Sequence, residues 1–450
     1  MADLARLHDI VKAYDVRGVV PDDLDADVAE RLGRAVAMEV GGPAVVVARD
    51  MRPSGEELTQ AFMRGIRAQG LDTIDLGLAS TDLLYYASGH LDLPGAMWTA
   101  SHNPARYNGL KLCRAGAEPI SLDTGLAAIR DAAIAGEFTE PAAPGMHREQ
   151  DLLTEYAAHV KGFADVAEMR PLKVAVDAGN GMGGLVVPAV FDDLPLEVVP
   201  LYFELDGTFP NHPANPIEPE NLVDLQRAVI AHGCDLGLAF DGDADRMFCV
   251  DEEGRPVSPS LVTAIIAQRL LTRNPDETVL YNLICSKVVP ETIEAAGGHA
   301  VRTRVGHSFI KAVMRDTGAV FAGEHSGHYY FRDNFRADSG LIAAVVLLEA
   351  LGEHGGPLSD LVKPYDRYAA SGELNTEVAD QVGAMERVAA AFATRGDADW
   401  ADGLTVNGDG WWFNLRPSNT EPLLRLNAEG DDESTMAAVR DEVLDLVAQG

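Results

Sequence analysis

The 450-residue sequence predicts an α/β protein: three related α/β domains with mixed sheets and a smaller C-terminal α+β domain, arranged around a central cleft. Three observations predict this. Short apolar runs alternate with amphipathic helical patterns through roughly residue 365, which is how βα units read in sequence. Within that region three apolar segments each run into a polar, small-residue loop with strand-like residues beyond: PGAMWTASHNPARYNGLKLC, DLGLAFDGDADRMFCVD and GAVFAGEHSGHYYF. Three similar domains, each offering one loop to a shared cleft, explain the recurrence. The pattern then changes, with the strands around GWWFNLRPSN and PLLRLNAEG set among helices near Gln381–Ala393 and Glu433–Ala448.

The elements follow in order. AVVVA (44–48) is a strand and Glu56–Ala68 an amphipathic helix. LKVAVDAGNGMGG (172–184) is a strand ending in a glycine-rich turn before a helix, and ETVLYNLIC (277–285) a strand before another. Polar, Gly and Pro residues gather at Pro141–Gly145, Asp251–Pro259 and Pro364–Ala370. The expected domains are therefore 1–145, 146–252, 253–366 and 367–450.

A net charge of -34 argues against nucleic acid and acidic membrane surfaces as partners. A phosphate substrate then needs a local basic island. The four cysteines, Cys113, Cys234, Cys249 and Cys285, form no metal-type pair and read as buried free thiols, which suits a reducing cytoplasm. The N-terminus lacks a long apolar run, and LIAAVVLLEAL is too short to span a bilayer.

DGDADR (241–246) is the strongest single signal. Asp241, Asp243 and Asp245 alternate, so a curved loop converges them on one hard cation, and oxygen ligands suit Mg²⁺. A calcium loop is the rival, with Glu252 at its twelfth position, but Arg246 stands where that loop needs Gly. An aspartate-nucleophile phosphatase is the other, and a non-catalytic sugar or calcium sensor a third. TASHNP (99–104) places Ser101 beside His102 at a strand end, where a plain turn is the simpler reading of the motif alone. A phosphorylated Ser101 would instead be a phosphoryl donor facing the cation loop. GEHSGH (323–328) offers groups for sugar hydroxyls; His325 and His328 lack further ligands for zinc. RPSNTEP (416–422) offers Arg416, Ser418, Asn419 and Thr420 as a phosphate clamp. AYDVRG and ARDMRPSG add Arg17 and Arg52, and RVGHSFIK adds His307 and Lys311.

Together and in this order, TASHNP, DGDADR, GEHSGH and RPSNTEP resemble the α-D-phosphohexomutase superfamily, most closely its phosphomannomutase/phosphoglucomutase branch, over nearly the whole chain. NHPANPIEPENL and DAGNGMGG resemble its second domain. The resemblance implies four domains around a deep cleft and an isomerase that passes a phosphoryl group between C1 and C6 of a hexose. It implies a phosphoserine at Ser101, with Asp241, Asp243 and Asp245 holding Mg²⁺ beside it. Arg246 and His102 would lie beside the reacting group, and Arg17 and Lys111 would assist proton transfer. Tyr14, His307, Glu324, Ser326 and His328 would contact the sugar phosphate, and Arg416, Ser418, Asn419 and Thr420 the non-reacting phosphate. A hexose 1,6-bisphosphate would serve as intermediate and activator. A cytoplasmic monomer or weak dimer is implied.

Mannose phosphate is the first expected substrate and glucose phosphate the second. YNGLKLCRAGAEPI (107–120) resembles that branch, whereas the phosphoglucosamine mutases usually carry Asp where this chain has Tyr107. His325 departs from the Met or Gln common at its position in relatives.

Overall fold

A computed structural model describes residues 4–165, 169–417 and 423–449. The run Ala44–Arg49 is buried almost throughout, and it lies between parallel neighbours Asp72–Leu78 and Gly95–Trp98. A strand covered on both faces needs apolar residues at consecutive positions, which is why this one does not alternate. Helix Gly55–Ala68 covers it, burying Leu58, Phe62 and Ile66 along one stripe.

Four sheets build the chain. The first has seven strands and is mixed: Tyr107–Arg114 runs antiparallel to both Val16–Val19 and Gly95–Trp98. His147–Glu149 adds a parallel edge strand to it, so this sheet runs past the boundary expected at residue 145. The second sheet has five strands centred on Leu172–Asp177, Leu236–Phe240 and Met247–Asp251, and the third has four. The fourth is a five-stranded antiparallel sheet running from Ala369–Glu377 at one edge to Gly396–Asp399 at the other.

The three-fold recurrence in the sequence is a recurrence of topology. In each of the first three sheets a strand with a parallel neighbour ends in a loop and returns antiparallel to itself. Gly95–Trp98 returns as Tyr107–Arg114, Leu236–Phe240 as Met247–Asp251, and Phe321–Gly323 as Tyr329–Phe331. The polar loops are the three reversals. LIAAVVLLEAL belongs to helix Gly340–His354, a buried helix of the core shared by these units. No described helix is long and apolar enough to cross a membrane. All four cysteines are buried and free.

One buried carboxylate ties the first three units together. Asp82 lies in the first turn of helix Thr81–Leu91, fully buried. It accepts hydrogen bonds from Ser80 in its own turn, from the Tyr156 hydroxyl at 2.5 Å and from Ser339 Oγ at 2.6 Å. Burial pushes its carboxyl up to about 6 despite those three donors. Because folding raises this value, the stabilising contribution of Asp82 is full below about pH 4 and is lost as pH rises through about 6. Asp82→Asn escapes that loss. Relative to the native chain, the variant should gain up to about 3 kcal/mol of stability between pH 4 and pH 7. Urea unfolding of both proteins at the two pH values checks this, and a pH-independent difference would count against it.

Candidate active site

The serine loop begins where the fully buried strand Gly95–Trp98 ends. Ser101 has φ +48°, a left-handed conformation that costs a non-glycine residue about 1 kcal/mol. What holds it there is Arg52. This guanidinium, with a side chain wholly shielded from solvent, donates to the carbonyls of Ser101 (2.8 Å), Asn103 (2.7 Å), Pro104 (2.9 Å) and Tyr107 (2.9 Å) and to Asp50 (3.1 Å). The sequence marks Arg52 only as an arginine on a short loop; its donors are spent on the backbone of the serine loop.

The aspartate loop meets the serine loop at Gly242. A methyl group there would sit 2.4 Å from the Ser101 carbonyl oxygen, so only glycine allows the approach. The Ser101 hydroxyl donates to Asp241 Oδ2 at 2.7 Å. Asp241, Asp243 and Asp245 are all buried, and each brings a carboxylate oxygen within 4.8 Å of the others. Lys111 Nζ lies 2.7 Å from Asp243 Oδ2 and 2.7 Å from Asp245 Oδ2. Among the described residues Asp243 Oδ1 and Asp245 Oδ1 are buried without a hydrogen-bond partner.

Electrostatics follow from this crowding. Burial, and then the charges of Asp245 and Asp243, push the Asp241 carboxyl well above the usual carboxylate range. Burial also raises Asp243, but the ammonium of Lys111 and the Thr81 hydroxyl outweigh it and hold that carboxyl below its ordinary value. Three buried carboxylates, each with an oxygen within 4.8 Å of the others and two of them with an oxygen lacking a hydrogen-bond partner among the described residues, fit a hard divalent cation; Asp245 Oδ1 also lies 3.7 Å from His328 Nε2. Glu252 faces away and accepts from the Ser359 backbone at 3.1 Å, so it does not complete a calcium loop.

Basic groups gather on the open side. Arg246 lies with Nε 3.4 Å from Asp241 Oδ2, and its Nη2 donates to His102 Nδ1 at 2.6 Å. Burial and then the charges of Arg246 and Arg17 push His102 well below the usual histidine range, so the ring is neutral near pH 7. Its Nδ1 is 3.2 Å from Ser101 Oγ. Arg17 donates to Asn103 Oδ1 at 2.6 Å. Burial lowers Lys111, but Asp243 and Asp245 more than offset this and hold it charged. Its ammonium is occupied by carboxylates, which makes it a poor proton acceptor in this arrangement.

These groups face a cleft of about 870 Å³ lined by Tyr14, Arg17, Ser101, His102, Lys111, Arg246, His328, Arg416 and Arg425, among others. The third loop is stitched to the second, since Met247 N–H donates to the Gly327 carbonyl at 3.1 Å and Arg246 pairs with His328. Glu324 and Ser326 do not line this cavity. Glu324 is buried behind it, accepting from the Tyr330 hydroxyl at 2.7 Å and Asn282 at 3.2 Å, while Ser326 Oγ bonds His328 Nδ1 at 2.9 Å. His325 turns to Ser260 Oγ at 3.1 Å, away from a shared zinc geometry with His328. Lys311 is buried on Asp338 at 2.9 Å. His307 opens helix His307–Thr317; its side chain lies outside the described residues.

The fourth sheet also lines the cleft, through Arg416 and Arg425. Arg416 stands opposite Arg425 in the register of Trp411–Pro417 against Leu423–Gly430. Glu373 bridges them, at 3.0 Å from Arg416 and 3.1 Å from Arg425. Ser418, Asn419 and Thr420 lie outside the described residues. The sequence reading missed Arg425; the alternation in PLLRLN was its signal, but only strand register places it beside Arg416.

The chain matches four family descriptions in series: "Phosphoglucomutase/phosphomannomutase, alpha/beta/alpha domain I" over 8–140, "domain II" over 154–254, "domain III" over 258–368, and the "C-terminal domain" over 373–446. It belongs to the phosphoglucomutase/phosphomannomutase family. Relatives agree. The chain is 41% identical over 98% of its length to "Phosphohexose mutases" of Xanthomonas campestris (99% of that protein) and 40% identical over 97% of its length to "Phosphomannomutase" of Salmonella montevideo (98% of that protein). A crystal structure of a phosphoglucomutase/phosphomannomutase family protein from Burkholderia thailandensis superposes with a TM-score of 0.90 at 33% identity, covering 99% of this chain and 97% of that one. Family membership makes the chain an isomerase of the phosphotransferring mutase class.

Within this family fold, Gly242→Ala should lower kcat about 100-fold, because parting the two loops by about 1 Å misplaces the serine relative to the carboxylates. The Tm should fall by only a few degrees. Steady-state kinetics with thermal unfolding would check both, and an unchanged kcat would mean the loops need not touch.

Proposed function

We propose that this chain interconverts hexose 1-phosphates and hexose 6-phosphates, mannose first and glucose second, through a phosphoserine at Ser101 and a hexose 1,6-bisphosphate. The observation that carries the reading is the Ser101 hydroxyl on Asp241 at 2.7 Å, within a buried carboxylate cluster suited to a cation, in the cleft that the Arg416–Arg425 pair also lines. The names of the relatives support the mannose assignment.

Asp241, Asp243 and Asp245 would hold Mg²⁺, which supplies charge neutralisation for the transferring phosphoryl group. The protein does the rest. Phosphoserine Oγ–P breaks as the substrate's free hydroxyl oxygen bonds phosphorus, with Arg246 and Arg17 near the equatorial oxygens. The other phosphate is held by Arg416, with Ser418, Asn419 and Thr420 as further contacts and Tyr14, His307 and His328 on the sugar side. The bisphosphate then turns, and its other phosphoryl group returns to Ser101. The proton lost by the attacking substrate hydroxyl is taken up, net, by the Ser101 oxygen as its bond to phosphorus breaks, and in the return step the Ser101 hydroxyl proton goes, net, to the sugar oxygen released from phosphorus.

Mannose 1-phosphate with trace hexose 1,6-bisphosphate and Mg²⁺ should yield mannose 6-phosphate and little free phosphate. Ser101→Ala should lose roughly 10³-fold or more of kcat, and peptide mapping should place phosphate on Ser101 in active protein. Stoichiometric release of free phosphate would instead make the chain a phosphatase.

The two ends of the substrate must use one clamp in turn. Arg416→Ala should therefore raise KM for the 1-phosphate and the 6-phosphate by similar factors, about 10- to 150-fold for the loss of one charge-assisted contact. Kinetics in both directions would test this, and a defect confined to one substrate would exclude a shared clamp.

A further inference from the structure

Thr81 is fully buried in the first turn of helix Thr81–Leu91, far in sequence from the aspartate loop. It touches that loop twice. Its N–H donates to the Asp243 carbonyl at 3.0 Å, and its hydroxyl donates to Asp243 Oδ2 at 2.5 Å. The same oxygen receives Lys111 Nζ at 2.7 Å, while Oδ1 of the same carboxylate is buried without a hydrogen-bond partner among the described residues. Two donors on one oxygen, arriving from different elements, fix rotation about the Cβ–Cγ bond and so fix where the carboxylate stands in the cluster it forms with Asp241 and Asp245.

The donor is itself fixed. Thr is β-branched, so few rotamers are open to its hydroxyl. Ser80 caps the helix by accepting from Leu83 N–H at 3.3 Å, and Asp82 anchors the turn to Tyr156 and Ser339. Ser339 in turn caps helix Gly340–His354, and Gly340 packs so closely on the aspartate loop that a methyl group there would lie 2.8 Å from the Arg246 carbonyl. The loop is thus seated between Thr81 on one side and Gly340 on the other.

We propose that Thr81 is a positioning residue for the cation site, acting through Asp243 to pre-form it before the cation arrives. This rests on the proposal that Asp241, Asp243 and Asp245 bind Mg²⁺. Lys111 alone cannot do this work, because its ammonium is shared with Asp245 and sits on a flexible stem. Groups behind a ligand typically set metal affinity within a 10- to 100-fold range.

The test uses the full chain and Mn²⁺ as probe, with free Mn²⁺ read by electron paramagnetic resonance and Mg²⁺ as competitor. Thr81→Val keeps the shape and removes the hydroxyl; Thr81→Ser keeps the hydroxyl. Thr81→Val should weaken Mn²⁺ binding about 10-fold, and Thr81→Ser should restore it. The kcat lost by Thr81→Val at low Mg²⁺ should return at high Mg²⁺, with KM for the hexose phosphate unchanged. Equal Mn²⁺ affinity in Thr81→Val and native protein overturns the proposal, and so does a Thr81→Ser protein as weak as Thr81→Val. Thr81→Ala replaces the valine variant should that one not fold, and the same two results would overturn the proposal. Asp241→Asn separates the levels. If it binds Mn²⁺ like the native protein, the cation site itself is wrong and the role of Thr81 falls with it. If it is weakened while Thr81→Val is not, only the role of Thr81 is rejected.

Discussion

Three carboxylates within five residues, all shielded from solvent, repel one another at short range in a poorly screening interior. Everything around the cleft answers that constraint. Lys111 spans two of the three, Arg246 stands beside the remaining one, and Thr81 and Ser101 donate to individual oxygens. Two oxygens, Asp243 Oδ1 and Asp245 Oδ1, are still left buried without hydrogen-bond partners among the described residues. The loop is a charge trap, and the serine hydroxyl sits on its rim.

That trap needs a stiff frame. Its donors come from different units: Lys111, Thr81 and Ser101 from the first sheet region, Arg246 from the second. The first three units share one continuous apolar core, and the Asp82 junction crosses it. Arg52 performs the same task for the serine loop by gathering four carbonyls under one guanidinium. Rigid support for the reacting end is what phosphoryl transfer needs, since little of the chemistry is covalent work by the protein.

The clamp end is built differently. The fourth unit has its own core. Its contacts with the third unit include polar ones: Asp402 accepts from Val305 N–H at 3.1 Å, Glu429 accepts from Lys287 N–H at 3.0 Å, and Arg302 pairs with Asp399. Such contacts exchange with water at little net cost. A clamp carried on a separately cored unit suits a substrate that must turn between two half-reactions. The sequence marked this change of texture near Pro364–Ala370, where the βα alternation stops.

The sequence by itself determined the things that local spacing encodes. Alternate aspartates in one loop, a serine at a strand end and the repeated strand–loop–strand pattern are all short-range features. A family resemblance resting on four ordered loops then carried the fold and the chemistry. Tertiary structure alone decided which neighbours those loops meet. Thr81 and Asp243 are 162 residues apart, and no periodicity links them. Arg52 and Lys311 stood in the sequence only as basic residues of two short segments, because a sequence does not show which carbonyls the one covers or that Asp338 pairs with the other. Glu324 belongs to the right motif yet sits behind the cleft, because Tyr330 and Asn282 draw it inward. The physical reason is common to all four. A buried charge goes wherever its compensating partners are, and those partners are brought together only when the chain folds.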